Sequence, residues 1–273
     1  MGKLYVVGTP IGNLSDFSPR AIETLKSVDF IAAEDTRVTL KLLNKFEIKN
    51  SLVSYHEHNR GKAGEQIVKR ISEGENCALV TDAGMPAISD PGEELVKLCR
   101  EKGIEVESVP GPTAFATAMA ISGMSSTRFT FEGFLSVTKR NRKEHLRSLV
   151  NETRTMIFYE APHKLIYTLK DMYEYFGDRE LAICREITKI HEEVINTTLS
   201  AAIEKYTETP PKGEFVLVIK GKEAEKGESF TFEQAVKIAK DLVDDGNSAS
   251  SAAKQAAAET GYKKSDIYKE LCN

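Results

Sequence analysis

Short apolar runs alternate with longer stretches in which apolar residues recur at helical spacing, and this alternation organises the first part of the chain. Leu4 to Val7 reads as a strand running into Gly8-Thr9-Pro10-Ile11-Gly12-Asn13. Ser18-Pro19 then reads as the N-cap and first residue of a helix over Ala21 to Lys26. The order recurs, with strands at Val28 to Ala33, Leu52 to Tyr55, Cys77 to Thr81 and Ile104 to Val109. Helices lie between them over Thr36 to Phe46, over Gly64 to Ser72 and from about Pro91. Strands joined through helices make a mainly parallel sheet covered on both faces, because a parallel connection needs a crossover. This predicts a first α/β domain over residues 1–120.

A second series follows. Phe129 to Phe134, Thr155 to Tyr159, Leu181 to Cys184 and Glu214 to Lys220 read as strands, His163 to Phe176 as a helix, and the stretch after Thr188 as strand-rich. The expectation is a mixed α/β domain over residues 121–228. Gly221 to Ser229 is charged and reads as a solvated linker. Residues 229–273 give three helical segments with a helix-turn-helix look, the last two separated by Thr260-Gly261-Tyr262.

A length of 273 residues agrees with about two α/β cores. A hydrophobic fraction of 41% and a charged fraction of 29% exclude a disordered chain, and no apolar run is long enough for a membrane span. The first residues offer too short an apolar stretch for a signal-peptide core, so a cytoplasmic protein is expected. Cys77, Cys99, Cys184 and Cys272 are scattered without a CxxC pair, which favours buried thiols over disulfides or a metal site. Thirty-seven Lys and Arg against 41 Asp and Glu give a net charge of −4 and argue against indiscriminate coating of nucleic acid. A local exception is Thr138 to Arg147, where Lys139, Arg140, Arg142, Lys143 and Arg147 face a single acid, Glu144. That run is the best candidate for RNA contact, although such a run also suits an ordinary solvated helix. The C-terminal segment carries six lysines against seven acids over residues 231–273, which disfavours DNA reading.

Ligands of open α/β sheets collect beyond the carboxyl ends of the strands. Three loops there are rich in Gly or Pro: the one after the first strand, Asp82-Ala83-Gly84-Met85-Pro86-Ala87-Ile88-Ser89-Asp90-Pro91-Gly92, and Pro110-Gly111-Pro112-Thr113-Ala114. Together they form a stiff small-molecule cradle. GxGxxG, GxxxxGK[ST], GxSxG and HExxH are absent, so the ligand suggested is nucleotide-like but held without a phosphate loop.

The ordered set VGTPIGNLSD, AAEDTR, YHEHN, VTDAGMPAISDPG, VPGPTA, FYEAPH and CREITKIHEE resembles the ribosomal RNA small-subunit methyltransferase I family, a branch of the tetrapyrrole methylase fold. The similarity runs through roughly residues 4 to 220, and the C-terminal helices resemble the family's appended segment. The resemblance implies two α/β domains with an S-adenosylmethionine cleft between them and a small helical tail. It further implies methylation of a cytidine ribose 2′-hydroxyl in small-subunit ribosomal RNA, and a homodimer. Met85 departs from the Thr that the family often has in this loop. An alternative reading keeps the fold and donor but makes the acceptor a tetrapyrrole or another small molecule, and a third treats the tail as a ligand-regulated DNA-binding module.

The family's cofactor surface falls on Ala83, Gly84, Met85 and Ile88, on Thr113 and Ala114, and on Pro10, Tyr159 and Glu186. A ribose hydroxyl needs a proton acceptor, for which Asp35 and His56 are the candidates, with Arg37, Arg185 and Lys189 holding phosphate or ribose. Asp35 with Arg37 equally suits a helix N-cap and a surface ion pair, and His56 with His58 a solvated loop pair. His163, after Glu160-Ala161-Pro162, either touches substrate or only caps and packs.

Overall fold

The computed structural model describes residues 1–223 and 230–272. Five strands, β1 (Lys3–Val7), β2 (Phe30–Ala33), β3 (Leu52–Ser54), β4 (Cys77–Val80) and β5 (Glu105–Val109), form a wholly parallel sheet in the order β3-β2-β4-β1-β5. The helices α1 (Pro19–Ser27), α2 (Thr36–Lys45), α3 (Arg60–Ser72) and α4 (Glu93–Glu101) cover it. β2 and β4 are buried at every position, as strands covered on both faces must be. At the start of α1 the Ser18 hydroxyl accepts the Ala21 N–H, with Pro19 as first helical residue.

The second sheet, β6 (Phe129–Phe134), β7 (Thr155–Glu160), β8 (Glu180–Arg185), β9 (Glu193–Thr198) and β10 (Phe215–Ile219), is mixed, in the order β6-β7-β10-β8-β9. Only β6 and β7 run parallel. α6 (Lys139–Ser148), α7 (Leu165–Phe176) and α8 (Leu199–Glu208) accompany it. Two elements depart from the sequence reading. The stretch after Thr188 holds β9, but it then turns helical at α8, whose start is capped by the Thr198 hydroxyl. α7 begins at Leu165, because residues 161–164 form a turn instead of the first helical turn expected from Pro162.

α5 (Ala114–Ile121) does not cover the first sheet. Ala118 and Met119 pack with Ile157, Ala182, Cys184 and Val218 of the second, and Ile11 of the first loop joins this cluster. The boundary expected at residue 120 therefore crosses a helix, and both sheets lie in one compact unit, Met1–Lys222. Glu223–Asn273 is a second unit with helices α9 (Phe232–Asp244), α10 (Ala249–Thr260) and α11 (Lys264–Cys272) around Ala235, Ala239, Ala253, Ala256 and Ile267. Thr231 and Gln234 form a capping box at its start, and Gly261 closes α10 in the left-handed region at φ 77°. Most of the linker expected over residues 221–229 lies outside the described residues. Cys77, Cys99 and Cys184 are buried and Cys272 is exposed. No helix among the described residues is long and apolar enough to cross a membrane.

Candidate active site

Because every strand of the first sheet points the same way, the loops after β1, β4 and β5 emerge on one edge. They lock together through main chain. Thr9 N–H donates to Gly84 O at 2.9 Å, Gly84 N–H donates back to Thr9 O at 3.1 Å, and the Thr9 hydroxyl donates to Thr81 O at 3.1 Å. Gly8 and Gly111 lie back to back. A Cβ on Gly8 would stand 2.6 Å from the Gly111 Cα and 2.7 Å from the Met85 Sδ, so only glycine fits. Gly84 holds φ +92°, a left-handed conformation that L side chains rarely adopt. Ala87 (φ 66°) and Ser89 (φ 64°) share that region without being glycine, a strained backbone that aims the next residue, Asp90.

These loops and the end of the second sheet enclose a cavity of about 410 Å³. Ala83, Gly84, Met85, Ile88, Thr113, Ala114 and Tyr159, all expected to hold cofactor, line it. The Tyr159 hydroxyl accepts the Phe115 N–H at 3.0 Å and so ties the start of α5 to β7. Pro10 and Glu186 do not line it. Pro10 is buried in the first loop, and Glu186, at φ 51°, accepts the Glu214 N–H at 2.9 Å and pairs with Lys189 at 2.9 Å.

Among the lining residues that the sequence reading missed, which include Ile11, Phe134, Glu160 and Glu214, Asp90 has the most perturbed acidity. Removal from water, together with the negative charges of Glu34 and Asp82, pushes its carboxyl up to about 6, against the opposing pull of the Thr81 hydroxyl. The Thr81 hydroxyl donates its proton to Glu34 at 2.6 Å, which joins the ends of β2 and β4 beside the cavity. The other two lining carboxyls are held by cations: Glu160 by Lys164 at 3.0 Å, and Glu214 by Lys189 at 2.8 Å.

None of the five residues proposed for catalysis lines the cavity. Asp35 caps α2 through the Arg37 N–H at 2.8 Å and grips the Arg37 guanidinium at 2.6 and 3.0 Å. Those bonds hold its carboxyl well below the usual range and make it a poor proton acceptor. Arg37 remains 87% exposed. The His56 backbone N–H donates to the Asn59 side chain at 2.8 Å, its buried Nδ1 has no partner, and its ring meets that of His58 edge-on at 6.0 Å. Arg185 binds Glu193 at 3.2 Å and the Lys212 carbonyl at 3.4 Å. Lys189 reaches the cavity wall indirectly, through Glu214; burial opposes its charge, but the hydrogen bonds to Glu214 and Glu186 raise its pKa on balance.

The basic run forms α6, and its cations are not equivalent. Arg142 is nearly buried against Asp171 at 2.6 Å and donates to the Ser136 and Val137 carbonyls at 3.2 Å. Lys143 binds Glu174 at 3.0 Å and Arg140 binds Glu144 at 2.9 Å. Lys139, Arg140 and Arg147 are the exposed members.

Residues 3–203 match the family described as Tetrapyrrole (Corrin/Porphyrin) Methylases. The chain is 49% identical over 269 residues to the ribosomal RNA small subunit methyltransferase I of Synechocystis sp., covering 98% of this chain and 96% of that one. It is 50% identical over 223 residues to the protein of the same name from Thermotoga maritima, covering 82% of this chain and all of that one. Among solved structures, a diphthine synthase superposes with a TM-score of 0.62 at 14% identity over 80% of this chain and 90% of that one. A uroporphyrin-III-C-methyltransferase from Thermus thermophilus gives 0.57 at 20% identity over 80% and 94%, a likeness of fold.

Proposed function

This chain belongs to the ribosomal RNA small subunit methyltransferase I family of tetrapyrrole methylases, and from that premise we propose that it methylates small-subunit ribosomal RNA with S-adenosylmethionine, at a cytidine ribose 2′-hydroxyl. The observation that carries this reading is the lining of the cleft. It combines apolar side chains with the carboxyls of Asp90, Glu160 and Glu214 and, among the described residues, no Lys, Arg or His. Such walls suit a cation with an apolar body and repel a phosphate. The volume of about 410 Å³ lies within the range of small-molecule sites.

Bound there, the sulfonium supplies an activated methyl group for in-line transfer to oxygen. Ala83, Gly84, Met85 and Ile88 form one wall, Thr113 and Ala114 another, and Tyr159 the side contributed by the second sheet. Pro10 stiffens the first loop, and Glu186, outside the lining, holds Lys189 and the backbone of the lining residue Glu214. Asp90 faces the like charges of Glu34 and Asp82, is ionised at neutral pH and is positioned in the cleft to take a proton. Arg37, oriented by Asp35, is assigned to an RNA phosphate, as are Arg185 and Lys189 at the second sheet, with His56 on the loop after β3 facing the same substrate. Exposed Lys139, Arg140 and Arg147 supply longer-range attraction.

A cytoplasmic site of action and pairing of two copies complete this reading; sedimentation should give twice the 30.3 kDa chain mass. The deciding experiment incubates the protein with labelled S-adenosylmethionine and immature small ribosomal subunits, then maps the label. Label on a cytidine ribose is expected. Donor binding with no label in RNA would overturn the acceptor assignment.

A further inference from the structure

Beside the donor cavity lies a second recess of about 350 Å³, and Glu160 belongs to the walls of both. Ser136 and Val137 of the turn before α6 bound it on one side, with His163, Lys164 and Tyr167 of the α7 start on the other. Its cations are already paired. Arg142 is committed to Asp171 and to the Ser136 and Val137 carbonyls, while Lys164 holds buried Glu160 at 3.0 Å and sits 5.5 Å above the Phe134 ring. The recess is therefore stiff and close to neutral, which makes a phosphate an unsuitable occupant. What it offers instead is an aromatic face, since Tyr167 keeps 69% of its surface exposed, opposite Val137 at 77%, with exposed His163 as a polar edge. A flat, uncharged ring with hydrogen-bonding edges fits that combination.

We propose that this recess seats the unpaired base of the nucleotide adjoining the methylated one, stacked on Tyr167. The inference rests on the RNA-acceptor reading above and adds the subsite. An acceptor ribose held at the donor cavity obliges the next nucleotide of its strand to leave across one of the walls, and the Glu160 wall opens directly onto an aromatic platform. The phosphate that joins the two nucleotides then passes near Lys139, the first residue of α6 and two positions beyond Val137. An apolar protein segment is the competing occupant, but it would leave His163 and the adjoining basic helix end without a role.

The test measures binding of small-subunit ribosomal RNA to the full chain and to Tyr167→Ala and Tyr167→Phe, over a range of salt concentrations. Loss of one stacked base weakens binding by about five- to a hundredfold. The salt dependence should stay unchanged, because every cation that meets a phosphate is retained. Tyr167→Phe should restore wild-type binding, and calorimetric affinity for S-adenosylmethionine should be the same in all three. The proposal falls if Tyr167→Ala binds RNA as tightly as wild type, if Tyr167→Phe is as weak as Tyr167→Ala, or if Tyr167→Ala instead changes the oligomeric state in sedimentation. Wild-type protein that binds donor but no RNA would remove the acceptor reading itself, a result distinct from an indifferent Tyr167→Ala.

Discussion

Replacing Asp90 by Asn removes a charge from the cleft while keeping nearly the same shape, and the structure sets the size and sign of the effect. The carboxyl sits at about 6 against an ordinary 3.8, chiefly because burial disfavours its anion. A folded-state value above the unfolded one means that folding resists deprotonation. The penalty is absent below about 3.8, grows between 3.8 and 6, and is complete above 6. The difference of roughly two corresponds to about 3 kcal/mol at 1.36 kcal/mol per tenfold change, an upper value for a group that water still partly reaches. Asp90→Asn should therefore be more stable than wild type by about 1 to 3 kcal/mol at pH 8, with the gap closing towards pH 4. Urea titrations at the two pH values measure this. The same variant should bind S-adenosylmethionine more weakly, since a carboxylate facing the cation is removed. Equal stability at pH 8, or a gap that widens on acidification, would refute the assignment of a strained, functional carboxyl.

Three other outcomes follow from the geometry. Gly84→Ala forces a side chain onto φ +92° with its Cβ 3.4 Å from Ile11, so it should cost about 1 to 2 kcal/mol in stability and weaken donor binding in calorimetry. Arg142→Ala leaves Asp171, nearly buried like Arg142, without its partner and should lower stability by about 2 kcal/mol in thermal unfolding, with the salt dependence of RNA binding unchanged. Lys139→Gln with Arg147→Gln, both on the exposed face of α6, should do the reverse: the melting temperature stays constant, and the slope of log affinity against log salt falls by about 0.7 for each phosphate that is no longer neutralised.

The strands, the parallel first sheet and the three ligand-facing loops were legible because the apolar runs and Gly-Pro loops report backbone constraints directly. Ser18-Pro19 announced a helix start, and Thr260-Gly261 a helix end. Two helices escaped for opposite reasons. α5, AFATAMAI, buries Ala118 and Met119 against the second sheet but is apolar on its exposed positions too, at Ala116, Ala120 and Ile121, and so carries no amphipathic period. α8 follows a strand without a break, and only its Thr198 cap marks the change. In the site, residues that line the cavity through the backbone of the Gly-rich loops were found, whereas the role of Asp90 was not. Its significance depends on Glu34 and Thr81, brought from other strand ends, and on strain at Ala87 and Ser89 that no residue type signals. Asp35 and Arg37 drew notice as charged groups at a strand end, and their geometry is that of a cap with its own counter-ion.

The close approach of Gly8 and Gly111 has a dynamic consequence. Where one peptide rests directly on another, no side chain can rotate aside, so that part of the rim is a fixed jaw tied further by the Thr9 and Gly84 bonds. Any widening of the cleft is left to side chains away from that contact, of which Ile88, further along the β4 loop, and Phe134, on the second sheet, are exposed.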